Sequence, residues 1–192
     1  MIEILQYMAD VLPGHPFRGS IAEIPGGNAR ALQMRDIGSD GQVNWNGMVQ
    51  TQVESRREPD WLQVGDIVFA ARGQRNYAVC LSEVPFSAVC SQYFFLLRCR
   101  GEALLPEFLA WQINSLPCQR YFASSAEGTD QLSIRRPVLE ALSIAVPSLA
   151  DQRRIVELER CAQAERSALE NLIQNRQRQL DALALQLFTS HS

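Results

Sequence analysis

Between Asp151 and Phe188 the sequence runs for 38 residues without a glycine or a proline. Most of these residues are good helix formers, so the stretch predicts one unbroken helix. At 1.5 Å per residue it would be about 57 Å long. Ser148 or Asp151 would cap its start. Ile155, Leu158, Ala162, Leu169, Leu172 or Ile173, Leu180, Leu183 and Leu187 fall near one stripe. So long and narrow a stripe cannot be buried on a domain of this size, and it predicts a partner helix. Glu165, Arg176 and Gln179 interrupt the stripe, as expected of a seam with limited affinity or a fixed register.

The remainder has room for one ordinary domain within the 192 residues, and 46% hydrophobic content suffices for a core. No apolar run is long enough to span a membrane, and the start, Met1-Ile2-Glu3, lacks the basic opening of a signal peptide. A cytoplasmic protein is expected. Cys80, Cys90, Cys99, Cys118 and Cys161 are odd in number and contain no C-x-x-C pair. They predict buried free thiols, with neither a disulfide framework nor a zinc site.

Residue types exclude most catalytic kits. All 18 basic residues are arginine, so a lysine-bearing phosphate loop is impossible. The only histidines, His15 and His191, lie near opposite termini, and neither H-E-x-x-H nor G-x-G-x-x-G occurs. The net charge of −3 means that any basic surface must be local.

Before the long helix, two zones are distinguishable. Residues 1–105 read as short strands broken by turn residues, Gly26, Gly27, Gly38, Gly41 and Gly47 among them. Strands are predicted at Ala31–Ile37, Ile67–Ala71, Tyr77–Leu81 and Tyr93–Arg98. Residues 106–146 read as a helix opened by Pro106, a second near Pro117–Phe122, a polar loop, a helical turn at Arg136–Leu139 and a strand at Leu142–Val146.

Four segments, in this order, resemble the specificity subunit of type I restriction-modification systems. They are Leu32–Ile37; Leu62-Gln63-Val64-Gly65-Asp66-Ile67 through Arg72-Gly73; the Gly128 loop with its following strand; and Val146-Pro147-Ser148-Leu149-Ala150-Asp151-Gln152-Arg153-Arg154-Ile155. The resemblance implies an α+β architecture. One mixed α/β target recognition domain (residues 1–147) precedes a conserved-region helix (148–192) that pairs as an antiparallel coiled coil. Family members usually carry two such domains and two helices, so this chain looks like half a subunit, and family logic implies a homodimer. The implied role is non-catalytic. Double-stranded DNA is read, and a methyltransferase subunit, which would carry S-adenosylmethionine, is positioned on it. A restriction subunit joins in some assemblies. No cofactor is expected in this chain.

With that resemblance, the leading DNA-contact segment is Arg72, Gln74, Arg75, Asn76 and Tyr77, where Arg can fork onto guanine and Gln or Asn onto adenine. A second set is Thr129, Gln131, Arg135 and Arg136, suited to phosphates. Gln33 and Arg35 form a third, and Gln92 a fourth facing the same groove. Trp45 reads as a core aromatic. The alternative left open is a coiled-coil adaptor whose globular head binds protein and not DNA.

Overall fold

Four consecutive apolar residues, Ile67–Ala70, are all buried, as expected of a strand covered on both faces. The computed structural model describes residues 1–38, 40–54, 58–73, 75–125 and 132–189. In chain order these residues form β1 (Ile2–Ile4), α1 (Leu5–Met8), β2 (Ala9–Pro13), β3 (Ala29–Leu32), β4 (Val49–Thr51) and β5 (Ile67–Ala70). Then come β6 (Arg72–Gly73), β7 (Ala78–Cys80), β8 (Ala88–Cys90), β9 (Phe94–Cys99), α2 (Pro106–Asn114) and α3 (Leu116–Ser125). The last four are β10 (Leu132–Ser133), α4 (Arg136–Glu140), β11 (Ser143–Ala145) and α5 (Leu149–Thr189). Two compact units result, a head (Met1–Val156) and a second unit, Glu157–Ser192. No helix among the described residues is long and apolar enough to cross a membrane.

Within the head, β2-β9-β5-β7 form an antiparallel sheet in that order. The two-residue period of β5 sends Ile67 and Phe69 to one face, where they pack with Phe108, Leu109 and Ile113 of α2 and Phe122 of α3. The Phe69 and Phe122 rings are 5.1 Å apart. Val68 and Ala70 face the other way, onto Leu32, Trp45, Met48 and Leu62. Those residues surround a second sheet, β4-β3-β8, in which β3 and β8 run parallel. Burying each of these large side chains contributes about 2 kcal/mol.

Backbone edges of the head are closed by side-chain amides. Gln112 accepts from Ala145 N at 2.7 Å and donates to Ala145 O at 3.1 Å, covering the side of β11 not paired with β1. Asn114 does the same for Ala78 of β7, at 2.8 Å in both directions. Asn28 pairs with Val53 in this way at 2.8 and 3.1 Å. Each amide stands in for a missing strand and leaves no open edge at that residue.

The first turns of α5 belong to the head. Ser148 Oγ accepts from Asp151 N at 3.2 Å and donates to Asp151 Oδ2 at 2.7 Å, so Ser148 is the cap. Gln152 is fully buried. Its Oε1 accepts from Leu105 N at 2.8 Å, and its Nε2 donates to Ala103 O at 2.8 Å and Pro147 O at 3.0 Å. The glutamine of the Pro-x-Leu-x-x-Gln segment therefore latches the start of α5 to the chain entering α2.

Three expectations need correction. The strand expected over Ala31–Ile37 ends at Leu32, and Met34–Asp36 is a 3-10 turn. Asp36 Oδ2 accepts from Gln33 N at 2.8 Å and Asp36 N donates to Gln33 O at 3.0 Å, closing a turn that alternation alone does not reveal. Ile155 is partly buried against the head core and so does not belong to a free seam. Finally, the cysteines differ. Burial pushes the Cys90 thiol up to about 12 and Cys99 to about 11, whereas Cys161 is exposed on α5.

Candidate nucleic-acid interface

Two of the segments singled out in the sequence are joined by backbone pairing. β6 and β10 run antiparallel, with Gly73 opposite Leu132 and Arg72 opposite Ser133. Ile134 N donates to Ala71 O at 2.8 Å, and the Ile134 side chain is buried in the core. The segment leading to Arg135 and Arg136 is thus held beside the end of β5.

The third segment reaches the same place through Gly73. This residue has φ +137°, a conformation that favours glycine, and a Cβ there would lie 2.8 Å from Met34 Cε. Met34, one residue past Gln33, therefore packs against β6. Met34 and Arg35 share the 3-10 turn that the Asp36 carboxylate closes. Three segments far apart in sequence meet on one side of the head.

Arginine dominates what these segments expose. Arg35, Arg72, Arg75, Arg135 and Arg136 are all exposed. Carboxylates stand beside two of them. Asp36 is buried and lies 3.9 Å from Arg35, and Glu140 accepts from Arg136 Nε at 2.7 Å. Exposed guanidinium groups suit phosphate oxygens and guanine edges alike.

The candidate amides fare differently. Asn76 is buried, and its Nδ2 donates to Ala70 O at 2.9 Å, closing the turn that leads to β7. Gln92 uses both ends of its amide on the backbone of Phe17, at 3.1 and 3.3 Å. The Nε2 of Gln33 is enclosed and has no hydrogen-bond partner among the described residues. Asn76 and Gln92 thus spend their amides on the backbone, against the sequence expectation for these two, whereas the Gln33 amide is not so used. Tyr77 is half-buried beside the second core, and burial raises its phenol above the ordinary value while Arg75 opposes the shift. Gln74, Thr129 and Gln131 lie outside the described residues.

Trp45 is a core residue, edge-on to Phe86 at 5.8 Å. Sequence reasoning did not single out Met34, the side chain that lies against Gly73. Only Gly73, following a strand directly, hinted at a close approach.

The second unit exposes its stripe. Leu158, Leu169, Leu172, Ile173, Leu180, Leu183 and Leu187 are between 54% and 71% exposed, well above what a self-satisfied helix shows. Ala162 is half-buried.

No protein-family model and no curated protein matches the chain. Solved structures do. One is the type I restriction-modification system S subunit from M. genitalium, at 16% identity and TM-score 0.56, covering 82% of this chain and 37% of that one. Another is the HsdS subunit from Thermoanaerobacter tengcongensis, at 17% identity and TM-score 0.61, covering 89% and 39%. A third, from a structure of complex assembly and conformational transition in the type I R-M system, has 18% identity and TM-score 0.68, covering 95% and 43%. This chain shares their fold and spans about two fifths of their length.

Proposed function

We propose that this chain is the non-catalytic DNA-reading component of a type I restriction-modification assembly in the cytoplasm. One head reads one part of a two-part target. Two copies, paired through α5, hold two heads on the duplex and position methyltransferase subunits there. S-adenosylmethionine belongs to that partner, and a restriction subunit completes the assembly where restriction accompanies methylation.

The observation that carries this reading is the β6–β10 pairing, with Met34 seated on Gly73. It brings Arg72 opposite Ser133, two residues before the exposed Arg135, and sets the turn that bears the exposed Arg35 against Gly73, which supports the reading on a protein of net charge −3. The shared fold with S subunits points the same way.

Arg75 is assigned to base readout and Arg136, beside Glu140, to phosphate. Binding to a panel of single-base variants of the target, with the methyltransferase present, tests both. Arg75→Ala should flatten the preference at one position, a loss of about 1–3 kcal/mol there. Arg136→Ala should weaken every sequence alike and lower the salt slope by about one. Equal losses across the panel for Arg75→Ala remove that residue from readout. Retention on DNA that does not depend on salt sinks the whole reading and favours the second one, an adaptor with a protein-binding head, for which the acidic balance speaks.

A further inference from the structure

Arg30 is held differently from the arginines named so far. It lies half-buried on β3, on the face that also carries Leu32. Its guanidinium carbon sits 4.3 Å from the centroid of the Phe86 ring, within the range at which a cation is attracted to an aromatic face. Phe86 is in turn edge-on to the buried Trp45, and Arg30 Nη1 donates to Trp45 O at 3.1 Å. One face of the guanidinium is thus covered and one of its N–H groups is used. Among the described residues it has no carboxylate partner, whereas Arg98, Arg100 and Arg136 each have one. Holding an arginine there costs it rotamer freedom and part of its hydration, and no such partner offsets either. The turn that Arg30 grips is tied to the one that bears the exposed Arg35. Asn44 N donates to Asp36 O at 2.7 Å, and Ile37 bridges to Val43. Asn44 Oδ1 accepts from Gly47 N at 3.2 Å, which caps the 3-10 turn Trp45–Gly47.

We propose that Arg30 is a further phosphate contact of the head, pre-set by the Phe86 ring and the Trp45 carbonyl to receive the backbone of duplex DNA beside the Trp45–Gly47 turn. This rests on the DNA-reading role proposed above and extends it to a residue of the β4-β3-β8 sheet. The missing counter-charge is then the phosphate itself, and the cost of fixing the side chain is met before the duplex arrives. Phosphate is the fitting acceptor because the guanidinium is folded back onto its own ring and carbonyl. Base edges lie at the floor of a groove about 8.5 Å deep, out of reach of a side chain so held, whereas phosphates line the outside of the duplex.

Fluorescence anisotropy with a labelled mixed-sequence duplex, over a series of salt concentrations and with the methyltransferase present, tests this. Arg30→Met keeps the aliphatic packing on Phe86 and removes the charge. It should lower affinity about fivefold near 0.15 M salt and reduce the salt slope by about one, the counterion release of one phosphate. Arg30→Gln, which can still donate to Trp45 O, is a second uncharged variant and should show the same change of slope. Arg30→Lys keeps the charge but not the planar fork, so it should hold the wild-type slope and stay within about threefold of wild-type affinity. Losses as large in Arg30→Lys as in the uncharged variants, with every slope unchanged, make Arg30 a brace for the turn and overturn the proposal. Uncharged variants that bind as the wild type does overturn it as well, and if they lose the methyltransferase instead, the partner of Arg30 is an acidic protein surface. In each of these cases salt-dependent binding by the wild type leaves the DNA reading standing. Wild-type binding indifferent to salt overturns both.

Discussion

Two turns in the head, Gln33–Asp36 and Gln63–Asp66, are closed by the same pair of hydrogen bonds. In each, the glutamine N–H donates to the aspartate Oδ2 at 2.8 Å and the aspartate N–H returns to the glutamine carbonyl at 3.0 Å. Both aspartates are buried. What stands across from them differs. Arg98 grips Asp66 through Nε and Nη2, both at 2.8 Å, and also donates to Trp61 O at 3.1 Å. Among the described residues Asp36 has no such partner, only the exposed Arg35 at 3.9 Å. The Gln63–Asp66 turn therefore braces the entry to β5, while the Gln33–Asp36 turn presents Met34 to Gly73 and Arg35 to solvent. One local solution serves a fixed joint at Asp66 and an exposed arginine at Asp36. The group opposite the aspartate decides which.

The largest effect should come from the braced turn. Asp66→Ala strands the Arg98 guanidinium and the Gln63 N–H, and a loss of about 3 kcal/mol is expected. Adding Arg98→Met should recover part of it, because the unpaired charge goes with the arginine. Urea unfolding of the three proteins measures this. If the double variant is no better than Asp66→Ala, the ion pair is not what braces the joint.

Gly73→Ala probes the other side, with a smaller expected loss of about 2 kcal/mol from its φ of +137°. Its added Cβ also displaces Met34, so DNA affinity should fall by more than the stability loss explains. Combining it with Met34→Ala frees the space without relieving the backbone. Stability should then stay low while DNA affinity partly returns. Affinity unchanged in Gly73→Ala would separate the Met34 turn from the interface.

The elements and the candidate site were not equally legible in the sequence. Long apolar runs and proline-opened helices carry their own signal, which is why β5, β9, α2 and α5 were expected close to where they lie. The β1–β11 pairing joins the two ends of the head and has no local signature. Among the candidate residues, the exposure of the arginines was legible and the pairing of the amides was not. Asn and Gln suit a base edge and an unpaired peptide edge by the same donor-acceptor geometry, and nothing local distinguishes the two. Asn76 and Gln92 turned out to serve peptide edges, as Gln112, Asn114 and Gln152 do. Arginine lacks an acceptor and cannot mimic a strand, so exposed arginines near a glycine-containing turn were the safer signal.

The smallest effect is expected at Asp36, and it tests the comparison most directly. Burial pushes its carboxyl above the ordinary carboxylate value, with the Gln33 N–H and Arg35 acting in the opposite sense. Folding thus favours the protonated form. The contribution of this group to stability is greatest below the unfolded carboxylate value and declines as pH rises from there through the raised native value. Asp36→Asn keeps an oxygen for the Gln33 N–H and removes the charge, so it should lack that decline and gain at most about 1 kcal/mol at neutral pH. Asp66→Asn, which takes the charge away from Arg98, should move the other way. Unfolding curves across the acidic range for both variants separate the turns. Should Asp36→Asn be destabilised at neutral pH as Asp66→Asn is, the carboxylate charge at position 36 supports the fold too, and the distinction between a braced joint and a presented surface fails.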